Sequence, residues 1–182
     1  ADKPLIEARL RDTIGVSYIQ LGMYEQAETH LVDAAGIYQR ELGGRDPRTL
    51  STLNNLGNAL LARGHYDESE ASLRATFEMQ RRILGEDHPD TLNSRNNLAN
   101  TIDKQGRHAE AMELRRTTIE LMRRRFGQAD PRTLKAMANL ALSLFEEGRY
   151  ADCEHLRRTT LDEMRRTLGE EHRDTLIAMH NL

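Results

Sequence analysis

Residues 46–87, DPRTLSTLNNLGNALLARGHYDESEASLRATFEMQRRILGED, decide the fold because the chain repeats them at a fixed step. Pro47 is followed 42 residues later by Pro89 and 42 later again by Pro131, with Arg173 on the next beat. Thr49, Thr91, Thr133 and Thr175 keep the same step, as do Leu50, Leu92, Leu134 and Leu176. Asn55, Asn97, Asn139 and Asn181 recur, and Gly43, Gly85, Gly127 and Gly169 close the units. A period of this length signals stacked supersecondary units, each burying its apolar face against its neighbours. Such an array offers a binding surface rather than a reaction centre.

Within the reference unit, Asp46 before Pro47 reads as a helix N-cap with a proline in the first turn, where no amide is orphaned by it. Asp130–Pro131 repeats the pair, and His88–Pro89 and His172–Arg173 are weaker versions. Leu50, Leu53, Leu56 and Leu60 then hold helical spacing. Gly64 breaks this first helix, since glycine adopts positive φ without steric cost. A second helix runs from about Tyr66 to Leu84 and stops at Gly85. Each unit is therefore an antiparallel pair, helix A and helix B. Ala27, Ser69, Ala111 and Cys153 share one phase of helix B, and their small size allows close approach of A and B. Cys153 reads there as a packing residue.

The frame Leu56-Gly57, Leu60, Gly64-x-Tyr66-x-x-Ser69, repeated at Leu98-Ala99 … Gly106-x-His108-x-x-Ala111, resembles the tetratricopeptide repeat. With DHPDTL at 87–92 and NNLA at 96–99, it looks like the long-helix form found in kinesin light chain and in bacterial signalling proteins. The resemblance implies an all-α, right-handed α-solenoid of stacked antiparallel helix pairs, acting as a protein-interaction scaffold. It also implies that one side of each helix A lines a concave groove. Repeat 1 spans 1–44 and is atypical, with Leu5 on the proline beat and Thr13 where later units carry Asn. Repeats 2, 3 and 4 span 45–86, 87–128 and 129–170, and 171–182 is the first helix of a cut-short fifth. A capping helix should be polar outside, and Ile177 and Met179 are not, so the native chain is expected to continue.

On helix A the residues opposite the leucine stripe are Ser51, Asn55, Asn58 and Ala62, then Asn93, Asn97, Asn100 and Lys104, then Lys135, Asn139, Leu142 and Glu146. An Asn amide donates and accepts at once, which suits capture of an extended peptide backbone. The candidate peptide-binding residues are accordingly Asn55, Asn58, Asn97, Asn100, Asn139 and Asn181, with Arg95, Lys104 and Lys135 as a positive spot for an acidic segment. The same asparagines also suit a structural network that sets helix register. Arg95 stands where Leu53, Met137 and Met179 stand, so its charge must reach an acidic partner or the groove edge.

A net charge of −3 gives no reason to expect nucleic acid, and no run of apolar residues is long enough for a membrane span. One cysteine supports no internal disulfide and suits a reducing, cytoplasmic setting. Arg81-Arg82, Arg123-Arg124-Arg125 and Arg165-Arg166 sit at helix B C-termini, where cations oppose the macrodipole; Glu86, Asp87, Asp130, Glu170 and Glu171 stand ready to neutralise them. The seven histidines form no metal-ligand pattern, no phosphate loop appears, and no cofactor or catalytic residue is expected. Two further readings stay open. One is self-association through an uncovered last helix; the other is a regulatory appendage of a larger signalling enzyme such as a serine/threonine kinase.

Overall fold

Each long helix after the first starts where the sequence supplies a cap or turn, and each stops at, or one residue before, a residue of the turn that follows. A computed structural model describes residues 3–180, so Asn181 lies outside the described residues. The helices are α1 (Lys3–Gln20), α2 (Tyr24–Leu42), α3 (Pro47–Arg63), α4 (Tyr66–Leu84), α5 (Pro89–Lys104), α6 (His108–Phe126), α7 (Pro131–Glu146), α8 (Tyr150–Leu168) and α9 (Arg173–His180). No strand occurs among the described residues. Contacts divide the chain into two compact units, residues 1–105 and 106–182. The division falls between the two helices of the third sequence repeat. The first unit packs α1 to α5 in chain order, and the second packs α6 to α9 likewise.

In the first unit Ala27, Leu31 and Ala59 share a core cluster, and Ala8, Ile37 and Tyr38 share another. Leu73, Phe77, Leu92 and Leu98 are buried as well. Gly57 explains how tightly α3 and α4 meet. A Cβ placed there would lie 2.5 Å from Leu73 Cγ, closer than atoms pack. Gly15 stands in the same relation to Leu31, at 2.6 Å. Ser69 Oγ, buried on α4, donates to the Gly57 carbonyl at 2.8 Å. The second unit repeats this device with sulfur: Cys153 Sγ donates to the Ala141 carbonyl at 3.2 Å. Its core is richer in methionine, with Met112, Met122, Met137 and Met164 all buried.

The entries of α3, α5, α7 and α9 come in two kinds. At α3 and α7 the cap is aspartate: Asp46 accepts from the Arg48 amide and Asp130 from the Arg132 amide, each at 2.9 Å. The Arg48 and Arg132 guanidinium groups also bond these carboxylates, and hold both below the usual carboxylate range. The threonine of the beat completes the joint. Thr49 Oγ1 donates to the Gly43 carbonyl at 3.0 Å, and Thr133 Oγ1 to the Gly127 carbonyl at 2.9 Å. At α5 and α9 the cap is histidine: His88 and His172 each accept through Nδ1 from the amide of Asp90 or Asp174, at 3.2 Å. There the threonine hydroxyls, Thr91 and Thr175, are buried without a partner among the described residues.

Candidate binding surface

The candidate surface is built from the sides of the A helices that turn away from the core. On α3, Asn55 and Asn58 are half-buried between exposed Ser51 and Ala62. On α5, Asn97 and Asn100 are half-buried and Asn93 and Lys104 are exposed. Helical periodicity thus placed these residues on an accessible side, as the spacing predicts. Neighbouring A helices are tied by polar bonds at a 40-residue step. Thr52 on α3 donates to Asp12 on α1 at 2.9 Å, and Ser94 on α5 donates to Asn54 Oδ1 on α3 at 3.0 Å. Ser94 Oγ also lies 2.6 Å from Gln80 Oε1 on α4, so the joint reaches the core.

Asn97 is part of this joint. Its Nδ2 donates to Asn54 Oδ1 at 3.3 Å, which orients the amide, while its Oδ1 has no protein partner among the described residues. One half of the amide ties α5 to α3. At Asn97 the structural reading of the asparagine ladder has a bond behind it.

Arg95 lies apart from that surface. Its side chain is only 4% exposed, with Nη2 2.6 Å from Glu86 Oε1. The guanidinium carbon stands 4.9 Å from the Phe77 ring centroid, a cation–π geometry. Of the two destinations open to it in sequence, an internal ion pair and the groove edge, the chain uses the first.

In the second unit, α7 carries exposed Lys135 and Leu142 and half-buried Asn139. Beside Lys135 a cleft of about 320 Å³ opens between α7, α8 and α9. Leu134, Met137, Leu156, Met164 and Ile177 make it apolar, and Lys135, Arg157 and Asp174 make its polar part. Sequence periodicity did not show this cleft, because it is made by three helices meeting. Arg115 also escaped notice. It is buried on α6, with Nη1 bonded to Ser143 Oγ. The signal was present, since Arg115 falls on the beat of Leu31 and Leu73.

Several of the arginines near the helix B C-termini are paired, chiefly with acids one turn back. Arg81 pairs with Glu78, Arg124 with Glu120 and Arg166 with Glu163. Of the loop acids expected to do this, Glu170 reaches Arg165, at 3.6 Å. Intrahelical spacing wins because residues three or four apart already face each other.

A tetratricopeptide repeat model matches residues 7–81 and 52–124, and a second one matches 133–174. No curated protein sequence matches the chain. Among solved structures it is similar to Podosopora anserina nearly identical TPR-like repeats assigned to kinesin light chain, with TM-score 0.85 and 24% identity, covering 100% of this chain and 86% of that one. BtubC (BKLC) from P. vanneervenii aligns with TM-score 0.76 and 16% identity, over 98% of this chain and 74% of that one. Rap protein complexed with competence and sporulation factor gives TM-score 0.76 at 14% identity, over 100% of this chain and 54% of that one. None of the described helices is long and apolar enough to cross a membrane.

Proposed function

Because the chain belongs to the tetratricopeptide repeat family, whose arrays are protein-interaction scaffolds, we propose that it captures an extended peptide segment on the asparagine-bearing sides of its A helices. The observation that carries this reading is the cleft beside Lys135. Its apolar lining accepts a bulky side chain, and exposed Lys135 supplies a cation for an acidic neighbour on the same peptide. The first unit, taken by itself, has an amide surface of the same kind in the Asn55, Asn58, Asn97 and Asn100 face of α3 and α5, suited to a peptide backbone, which an amide reads without regard to sequence. Lys104, exposed at the end of α5, extends that face, and Asn139 plays the corresponding part on α7. Arg95 is left out, being buried. The activity is that of a non-enzymatic adaptor working in the cytoplasm.

Panning a random 12-residue peptide library against the whole chain tests the reading. Selected peptides should carry a large apolar residue next to Asp or Glu. Their affinity should fall at least tenfold in Lys135→Glu and Ala138→Trp, with the thermal midpoint unchanged. Affinities indifferent to those two variants and to Asn97→Ala and Asn139→Ala would overturn it. A second reading, self-association, is favoured by exposed Leu176, Ile177 and Met179 on α9. Light scattering that shows a monomer at high micromolar concentration removes it.

A further inference from the structure

Two of the four capped A helices are held at their first turn by a group that stops accepting hydrogen bonds when it is protonated. We propose that His88 and His172 make the N-terminal turns of α5 and α9 acid-labile, while α3 and α7 keep theirs. The inference is independent of what the A helices bind.

Three observations carry it. His88 and His172 cap through Nδ1, which accepts from Asp90 N and Asp174 N only while it carries a lone pair. Protonation places a second N–H on an imidazole, and both ring nitrogens are then donors. At these same entries the Thr91 and Thr175 hydroxyls have no hydrogen-bond partner among the described residues, so the threonine-to-glycine tie that backs up the aspartate cap at α3 and α7 is missing. Finally, a cation at a helix N-terminus opposes the macrodipole, so the charged ring gains nothing by staying at the cap.

Charged groups around the two rings do not offset this. A carboxylate stands near each ring: that of Asp90 is 3.7 Å from His88 Nδ1, and that of Asp174 is 3.9 Å from His172 Nδ1. Both are surface pairs, with His88 and Asp90 34% and 58% exposed, a setting in which an ion pair is worth little. Along the segments leading to the caps, Arg81 is engaged by Glu78 and Arg95 by Glu86. Near His172, Arg165 is engaged by Asp162 and Glu170, and Arg166 by Glu163. In the aspartate joints, by contrast, cap and neighbouring arginine bond each other and stay charged through the same pH range.

The test is amide hydrogen exchange on the whole chain at pH 8 and pH 5, corrected for intrinsic rates. Protection of the Asp90 and Asp174 amides should fall about fivefold on acidification, the equivalent of losing one cap, while that of Arg48 and Arg132 holds. His88→Asp and His172→Asp should abolish the change at their own sites, and His88→Ala should show the low protection at both pH values. Equal protection of Asp90 at both pH values, or the same fall in His88→Asp, would overturn the proposal. If an alanine variant loses fold, the aspartate pair and the parent chain decide alone.

Discussion

The Arg95 guanidinium lies over the Phe77 ring, 4.9 Å from carbon to centroid, in a place that the repeat elsewhere gives to Leu53 and Met137. Its Nη2 pairs with Glu86, but Nη1 is buried without a partner among the described residues. A buried charge satisfied on one side only is costly to keep. Arg95→Met should therefore be neutral or stabilising by about 1–3 kcal/mol, because an apolar chain of similar volume also covers Phe77. Glu86→Ala should go the other way by about 1 kcal/mol, moderated by Glu86 being half exposed. Urea unfolding of the two variants measures both, and a destabilised Arg95→Met would show that the cation holds more than its ion pair.

Gly57→Ala tests the close approach of α3 and α4. Alanine favours helix by about 1 kcal/mol over glycine, yet its Cβ would stand 2.5 Å from Leu73 Cγ. Overpacking of that kind costs about 1–3 kcal/mol, so the net effect should be a loss of stability. Leu73→Ala in the same chain should relieve the clash, which a double-mutant cycle reads as strong non-additivity.

Cys153 should resist a thiol reagent in the native chain and react on unfolding, since it is buried and its Sγ is turned to the Ala141 carbonyl. Cys153→Ser should change stability by less than about 1 kcal/mol, because Ser69 makes the same bond to Gly57 at 2.8 Å. Colorimetric thiol titration and thermal melts check the two halves.

The aspartate caps predict a second, more acidic transition. Their folded carboxyls sit below the usual range, chiefly because the Arg48 and Arg132 side chains bond the charged form. The stability they contribute is present above about pH 4, the unfolded carboxyl value, and disappears as pH falls through the lower folded value. Asp46→Ala should cost about 1 kcal/mol at pH 7 and flatten this part of the pH profile. A melt series from pH 5 to pH 2 on parent and variant checks it.

Much of this was legible in the chain itself. The 42-residue beat set the helix pairs, and cap residues and glycines set their ends, because helix starts, stops and faces depend on local stereochemistry and spacing. The accessible sides of α3, α5 and α7 followed from the same periodicity. Arg95 was recognisable as an anomaly, but its destination was not, since a long flexible side chain has several partners within reach. The cleft between α7, α8 and α9 and the fate of Arg115 were invisible for a related reason.

By itself, then, the sequence determined the helical hairpins, their phase and the chemistry placed on each side, for those are consequences of near-neighbour geometry. Only the tertiary structure decided which polar groups meet. It showed that Ser94 and Asn97 share Asn54, that Thr91 and Thr175 go unpaired where Thr49 and Thr133 do not, and that an apolar cleft opens beside Lys135. Such pairings depend on side-chain directions across helices far apart in the chain, and no local rule fixes them.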